Sequence, residues 1–232
     1  MGTLYIVATP IGNLGDLTLR AIDVLQTVGV VASEDTRRTG ILLKHIRDTF
    51  PKDPEHRPQL ISYYEQNEFK RIPEILNLLQ SDISVALVSD AGTPLVSDPG
   101  YRLVKACVDA GIPITPIPGA SSALAALTVS GLPSDKFLFV GYPPHKSGNR
   151  KKLFESLKNE PLSATVIFLE APHKVLKTLG ELKEVVGDID IVICRELTKI
   201  HEEIRREKIS ESVSHFEKTS PKGEFTILFH LS

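Results

Sequence analysis

Three segments of this sequence carry residue types suited to gripping a small polar ligand with their backbone. They are Ala8-Thr9-Pro10-Ile11-Gly12-Asn13-Leu14-Gly15, Ser89-Asp90-Ala91-Gly92-Thr93-Pro94 and Pro116-Ile117-Pro118-Gly119-Ala120-Ser121-Ser122. Each follows a short apolar run and precedes a helical pattern. Parallel α/β sheets bind ligands there, at the carboxyl ends of their strands. None is a phosphate cradle, because no Gly-Lys-Ser/Thr follows a strand, and Pro10 stands where a dinucleotide fingerprint would need glycine. Loops of Gly, Pro and small side chains, without lysine, let N–H and C=O groups approach a flat ring and a short polar tail. S-Adenosylmethionine fits that description, with its adenine, ribose, zwitterionic tail and sulfonium and no phosphate. Each loop alone is an ordinary strand-to-helix turn; three in one chain point to one site built from several loops.

The elements that position these loops alternate. Strands are expected at Leu4–Ala8, Val28–Ala32, Ile83–Val88 and Pro113–Ile117. Between them run helices. One is capped by Asp16 with Leu17, Ala21, Val24, Leu25 and Val28 as its stripe. Another spans Arg71–Gln80. A third starts at Asp98-Pro99, with Asp98 as its cap, and stops at Gly111, and a small-residue helix covers Ser121–Ser130. This βα alternation implies a parallel sheet covered on both faces. Gly131-Leu132-Pro133-Ser134-Asp135 punctuates the chain. Beyond it, strands are expected at Phe137–Tyr142, Thr165–Leu169 and Ile189–Cys194. A strand–helix–strand pattern follows, from Glu202–Lys208 to Phe225–Phe229. A second α/β domain with a mixed sheet follows from this, and the domains are taken as 1–118 and 119–232. Residues 48–58, with three prolines, are expected to form a surface loop.

Composition narrows the function classes. At 232 residues the chain can bury a large core in one domain or two. Its 41% hydrophobic and 24% charged residues are those of a soluble globular protein, and no apolar run approaches a membrane span. The start, Met1 to Ala8, reads as a strand rather than a signal peptide. Cys107 and Cys194 look like core residues, so a cytoplasmic location is expected. The seven scattered histidines offer no metal-ligand spacing. A net charge of -2 excludes a uniformly basic nucleic-acid binder. The segment His145–Lys152 nevertheless reads as a basic loop, and Lys199, Arg205, Arg206 and Lys208 form a second cluster. Each is either a solvated face or a patch for phosphates.

Seven stretches, in order, make the chain resemble the tetrapyrrole methylase-like (class III) methyltransferases, and within them the branch that modifies small-subunit ribosomal RNA. They are Leu4–Leu14, Ala32–Thr39, Val88–Gly100 with its Gly92-Thr93-Pro94, Pro118–Ser122, Phe168–Lys174, Cys194–Lys199 and Lys222–Phe225. The resemblance implies a two-domain α/β homodimer with S-adenosylmethionine in the cleft between domains. It also implies 2′-O-methylation of a cytidine ribose in 16S RNA, with the 30S subunit as partner. The wider family's Gly-Asp-Pro appears here as Gly92-Thr93-Pro94, a departure that suits an RNA rather than a small tetrapyrrole substrate. Donor-contacting positions implied by the resemblance are Pro10, Gly92, Thr93, Val96, Ser121 and Ser122, with Leu169 and Gly223 from the second domain.

Methyl transfer to a ribose hydroxyl needs alignment of the reacting atoms and a group that accepts the hydroxyl proton. Candidates are Glu34, Asp35, Glu170, His173 and Glu196. Arg37, Arg38, Lys146, Arg150, Lys151, Lys174 and Arg195 could hold flanking phosphates. Each has a plainer reading: Asp35 capping a helix near Thr36, Glu170 and His173 at a helix start, Arg195 and Glu196 in an ion pair. Bases could stack on Tyr63, Tyr64, Phe69 or Tyr142. Two other functions compete: methylation of a small molecule or protein side chain, and a non-catalytic ribosome-assembly factor.

Overall fold

A computed structural model describes residues 1–53, 55–160 and 162–231. The chain divides into two compact units, Met1–Ser121 and Ser122–Ser232. The first unit runs β1 (Leu4–Val7), α1 (Leu19–Leu25), β2 (Val30–Ser33), α2 (Thr36–Thr49), β3 (Gln59–Ser62), α3 (Glu68–Gln80), β4 (Val85–Val88), α4 (Tyr101–Asp109) and β5 (Ile114–Ile117). Its strands pair in parallel, in the order β3-β2-β4-β1-β5. Every residue of β2 and β4 is buried, as a parallel sheet with two covered faces requires. Alternate residues serve opposite faces. Leu4, Val30, Ala32 and Leu87 pack with Ile75, Leu79, Leu103 and Cys107 of α3 and α4. Val7, Val31, Ala86 and Val88 pack with Ala21, Leu25, Leu43 and Ile46 of α1 and α2. Pro116 sits in the edge strand β5, where a missing N–H is tolerated.

The second unit contains α5 (Ser122–Ser130), β6 (Phe137–Phe139), α6 (Ser147–Lys158), β7 (Ala164–Glu170), α7 (Val175–Val186), β8 (Asp190–Arg195), β9 (Glu203–Lys208), α8 (Ile209–Lys218) and β10 (Phe225–Leu231). Its sheet, ordered β6-β7-β10-β8-β9, is mixed: β6 and β7 are parallel and the other pairs antiparallel. Val166, Phe168, Ile193 and Phe229 face α6, α7 and α8. Ile167, Val192, Cys194 and Leu228 face Ala123, Ala126 and Leu127 of α5.

Several expectations are corrected. Thr18, not Asp16, caps α1, its hydroxyl accepting from Ala21 N–H at 3.2 Å; Asp16 closes a 3-10 turn. The sequence pattern left β3 unassigned. Helix α3 begins three residues before Arg71 and carries Pro73 inside it. Asp48 and Thr49 belong to α2, and Pro54 of the expected surface loop lies outside the described residues. Gly111, by contrast, ends α4 as expected, with φ +66 and the Gly111 N–Val108 O and Ile112 N–Cys107 O bonds of a Schellman cap.

The largest correction concerns His145–Lys152. From Ser147 this segment is helix α6, and Arg150, expected to meet RNA, is 1% exposed. Its Nε donates to Glu181 at 2.6 Å and its Nη1 to the carbonyls of Pro144 and His145. Burial pushes the Glu181 carboxyl up, but hydrogen bonds from Arg150 and Ser147 outweigh it and hold the group below its ordinary value. The pair ties α6 to α7. Arg150→Met should destabilise the protein by about 3–5 kcal/mol in denaturant unfolding, because it strands a buried carboxylate. The double variant Arg150→Met/Glu181→Leu should recover most of that loss; no recovery would refute the stranded-charge explanation.

Candidate functional site

At the carboxyl ends of β1, β4 and β5 the three Gly/Pro loops are laced together. Thr9 N–H donates to Gly92 O at 2.8 Å, and Gly92 N–H returns a bond to Thr9 O at 3.0 Å. Thr9 Oγ1 donates to Ser89 O, and Ser89 Oγ to Gly92 O. Thr93 Oγ1 donates to Ala120 O at 3.1 Å, joining the second loop to the third. An ionised aspartate at position 93 could only accept and could not make this bond. Gly92 holds φ +80, and a Cβ there would lie 3.3 Å from Ile11 Cγ2 and 3.7 Å from Ala120 O. A Cβ on Gly119 would come within 2.9 Å of Ala8 Cβ. Pro10, Gly92, Thr93 and the start of the Ala120-Ser121 segment are therefore brought together. Val96 follows on the second loop and is exposed.

The other expected donor positions lie in the second unit. Ser122 opens α5. Leu169 and Glu170 end β7, and Phe225 opens β10 opposite Glu170 and Arg195, so Gly223 falls at the same end of the sheet. Gly223 has φ +86, and a Cβ there would collide with Glu196 Cγ at 2.4 Å. Glu196 in turn accepts from Glu224 N–H and Lys199 Nζ.

Carboxylates crowd the first unit's strand ends. Glu34 follows β2, Asp90 follows β4, and Asp98 lies in the loop before α4. Asp90 Oδ1 accepts from Asp35 N–H at 3.1 Å, and its Oδ2 pairs with Arg38 Nη1 at 3.3 Å. Burial raises the Glu34 carboxyl above its ordinary value; the Asp90 charge adds to this and Arg38 opposes it. Burial, then the Glu34 charge, pushes Asp98 up to about 6 against a hydrogen bond from Ser89. Both line a cleft of ≈ 410 Å³ with Glu68, Tyr101 and Arg102.

Asp98 was missed as a site residue because it was expected to cap α4. The cap is Gly100, at φ +138, where a Cβ would meet Leu87 Cδ2 at 2.9 Å. The signal was present: Pro99 biases Asp98 away from helix, and Pro-Gly marks a turn.

The remaining candidates have structural partners. Asp35 caps α2, accepting from Arg37 N–H and from the Arg37 guanidinium. Glu170 is 3% exposed, accepting from Ala171 N–H with one oxygen and from Thr178 Oγ1 with the other. His173 stands exposed in a 3-10 turn. Arg37 is 89% exposed despite its pairing. Lys146 precedes α6, Lys151 pairs with Glu184, and Lys174 Nζ meets His145 Nδ1 at 2.6 Å. Arg195 donates to Lys222 O and pairs with Glu203.

The cluster of Lys199, Arg205, Arg206 and Lys208 is spent on partners inside the second unit. Those partners are Glu196 and Glu224, Glu203 and Glu207, the carbonyls of Val129 and Ser130, and Asp190. Tyr63, expected to stack on bases, is buried and donates to Glu68; Phe69 is exposed under the Arg102 guanidinium, 4.3 Å away.

The sequence profile of the Tetrapyrrole (Corrin/Porphyrin) Methylases matches residues 3–212. A protein of Thermotoga maritima named ribosomal RNA small subunit methyltransferase I is 46% identical over 228 residues, 98% of each chain. One of the same name from Synechocystis sp. is 47% identical over 229 residues, 98% of this chain and 78% of its own. Among solved structures, the methyltransferase CobJ superposes with a TM-score of 0.70 at 16% identity, over 99% of this chain and 95% of that one. Uroporphyrin-III C-methyl transferase from Thermus thermophilus, complexed with S-adenyl homocysteine, gives 0.65 at 20% identity over 98% and 97%. At these identities the structures establish the shared fold.

Asp98 supplies a prediction. Its folded pKa is raised, so its contribution to stability is full below the ordinary carboxylate range and is lost as pH rises through about 6. Asp98→Asn, which mimics the protonated acid, should raise Tm above pH 6. Discounted for partial exposure, the gain is about 1 kcal/mol, or ~2–4 °C for a chain this size. The gain should fade towards pH 4; a pH-independent difference would rule out the titration of Asp98 as its source.

Proposed function

Because the chain belongs to the tetrapyrrole (corrin/porphyrin) methylases, we propose that it is an S-adenosylmethionine-dependent methyltransferase of small-subunit ribosomal RNA, methylating the 2′-hydroxyl of a cytidine ribose. The observation that carries this reading is the near-full-length relationship, at 44–47% identity, to proteins named for that RNA. Its working form is taken to be a cytoplasmic homodimer acting on the 30S subunit. Among the described residues no helix is long and apolar enough to cross a membrane.

The loops fit the donor. They offer backbone and small side chains, and at Gly92 a cradle that a Cβ would fill. Pro10, Gly92, Thr93, Val96 and Ser121 would hold it on the first unit. S-Adenosylmethionine, when bound, supplies an electrophilic methyl group on a sulfonium. The chain's task is alignment and proton removal. The Thr9–Gly92 and Thr93–Ala120 bonds fix the loops in advance, so little ordering is left to binding. Glu34 is the proposed proton acceptor, because burial and the Asp90 charge raise its proton affinity above that of an ordinary carboxylate. Hydrogen bonds from Arg37 hold the Asp35 carboxyl below its ordinary value, and Glu170 is buried with its oxygens bonded to Ala171 and Thr178.

The test is transfer of labelled methyl to isolated small ribosomal subunits, with free tetrapyrrole precursor and subunit-free buffer as parallel acceptors. Label in alkali-resistant dinucleotides is expected, since a 2′-O-methyl group blocks cleavage. Label on the tetrapyrrole, or none in RNA despite donor binding, would overturn the RNA reading. Absence of donor binding would leave a non-catalytic assembly factor. In the same assay Glu34→Gln should lower kcat roughly 10²-fold or more, with donor affinity unchanged. Asp90→Asn should move the acid limb of the rate profile to lower pH, because it removes a charge that raises the Glu34 pKa. An unmoved limb would exclude Glu34 as the proton acceptor.

A further inference from the structure

A second, smaller cavity opens on the first unit beside the donor loops. Its volume is ≈ 180 Å³, and it is lined by Pro10, Gly12 and Leu14 of the first loop, Ile41 and Leu42 of α2, and the Arg38–Asp90 pair. Drug-sized ligands occupy about 300–1,000 Å³. The cavity is therefore too small for a whole adenosylated donor or a tetrapyrrole, and suits a single ring. Its walls are apolar where Pro10, Leu14, Ile41 and Leu42 contribute. Leu14 and Ile41 are solvent-exposed, 45% and 71%, which leaves apolar surface for a flat ring to cover.

The polar side of the cavity is one ion pair of defined orientation. Asp90 Oδ1 is anchored by the Asp35 N–H, so Oδ2 is the oxygen turned to Arg38. Asp90 is 27% exposed and Arg38 67% exposed, so both reach solvent at the cavity. A carboxylate accepts and a guanidinium donates. Side by side they match a ligand edge that carries an amino donor next to acceptors. Cytosine has such an edge, with N4–H₂ beside N3 and O2, whereas uracil has acceptor O4 in place of the amino group. Unstacked bases in RNA are read on this edge.

We propose that the cavity between the Pro10–Leu14 loop and α2 receives the base of the target nucleotide, and that Asp90 and Arg38 select cytosine there. Arg38 is thereby reassigned from a phosphate contact to a base contact. The inference rests on the reading of the protein as an RNA ribose methyltransferase and deepens it, naming the residues that decide which nucleoside is accepted. Asp90 positions Arg38 and the Asp35 backbone as well as reading the base, so its test needs a readout that a purely structural role would leave unmoved.

That readout is the ratio of kcat/KM on reconstituted small subunits carrying cytidine or uridine at the methylated position, with donor affinity measured in parallel by calorimetry. The wild-type protein should favour cytidine by about 5–150-fold, the range of one bidentate base contact. Asp90→Asn offers an amide N–H₂ to uracil O4, and should collapse or invert the ratio while donor affinity stays unchanged. Asp90→Asn with an undiminished preference for cytidine would overturn the proposal. Arg38→Gln alters an exposed side chain and serves if Asp90→Asn misfolds. It should lower activity on cytidine more than on uridine. Equal loss on both, with a salt slope reduced by about one, would mark Arg38 as a phosphate contact and overturn the proposal. If wild-type protein labels no RNA at all, the parent reading fails together with this one. If it labels cytidine and uridine subunits equally, only the base-reading inference fails.

Discussion

The two-way backbone bond between Thr9 and Gly92 is the constraint on which the rest of the first unit's site depends. It joins the loop after β1 to the loop after β4, and those strands are neighbours in the sheet. Gly92 can make this bond because it sits at φ +80, a conformation that a side chain would strain. Once the bond is closed, Ser89, Thr93 and Ala120 fall within reach of one another and the third loop is pinned as well. A ligand pocket built from loops is rigid only if the loops restrain each other, and here the restraint comes from backbone groups and small hydroxyls. Thr93 shows why the departure from Gly-Asp-Pro is not a neutral exchange: its hydroxyl donates the bond that an ionised carboxylate could not.

The same strand ends concentrate negative charge, and the arrangement separates two kinds of carboxylate. Asp35 and Asp90 accept backbone N–H bonds and face arginines. Glu34 and Asp98 are pushed the other way, by burial first and then by a neighbouring charge, Asp90 for Glu34 and Glu34 for Asp98. The first two hold loops and helices in place through those bonds. The other two keep their protons to higher pH than an ordinary carboxylate, the direction that suits a proton acceptor for a weak nucleophile. Proximity in sequence conceals this division, since Glu34 and Asp35 are adjacent.

Much of the architecture was legible because it is local. Gly and Pro punctuate the turns after β1, β4, β5, β6 and β7, and fully apolar four-residue runs such as Val85–Val88 announce strands buried on two faces. The failures have a common cause, competition decided by tertiary partners. Asp16 and Thr18 are both acceptable caps, and Thr18 is the one that meets Ala21 N–H. Asp98 reads as a cap, yet Gly100 takes that place and Asp98 lies in the loop ahead of it, where burial and the Glu34 charge act on its carboxyl. The pocket beside α2 was illegible because Arg38 and Asp90 are 52 positions apart, and only the parallel pairing of β2 with β4 brings the start of α2 beside the loop after β4.

Charge runs were the least reliable guide, and Arg150 shows the reason. Read linearly, His145–Lys152 is a basic stretch. Read at helical spacing, Arg150 lies on the stripe of Leu153, Phe154 and Leu157, which packs into the second unit's core. A cation on an apolar stripe must find an anion inside, and Glu181 on α7 is that anion. The ladder of Glu203, Arg205 and Glu207 on β9 follows the same logic at an edge strand, with alternate residues on one face neutralising each other. Cations become candidates for a ligand only after such internal partners are subtracted. In the first unit that subtraction leaves Arg38 paired at a cavity with a carboxylate whose other oxygen is already fixed, an arrangement whose donors and acceptors still face outward.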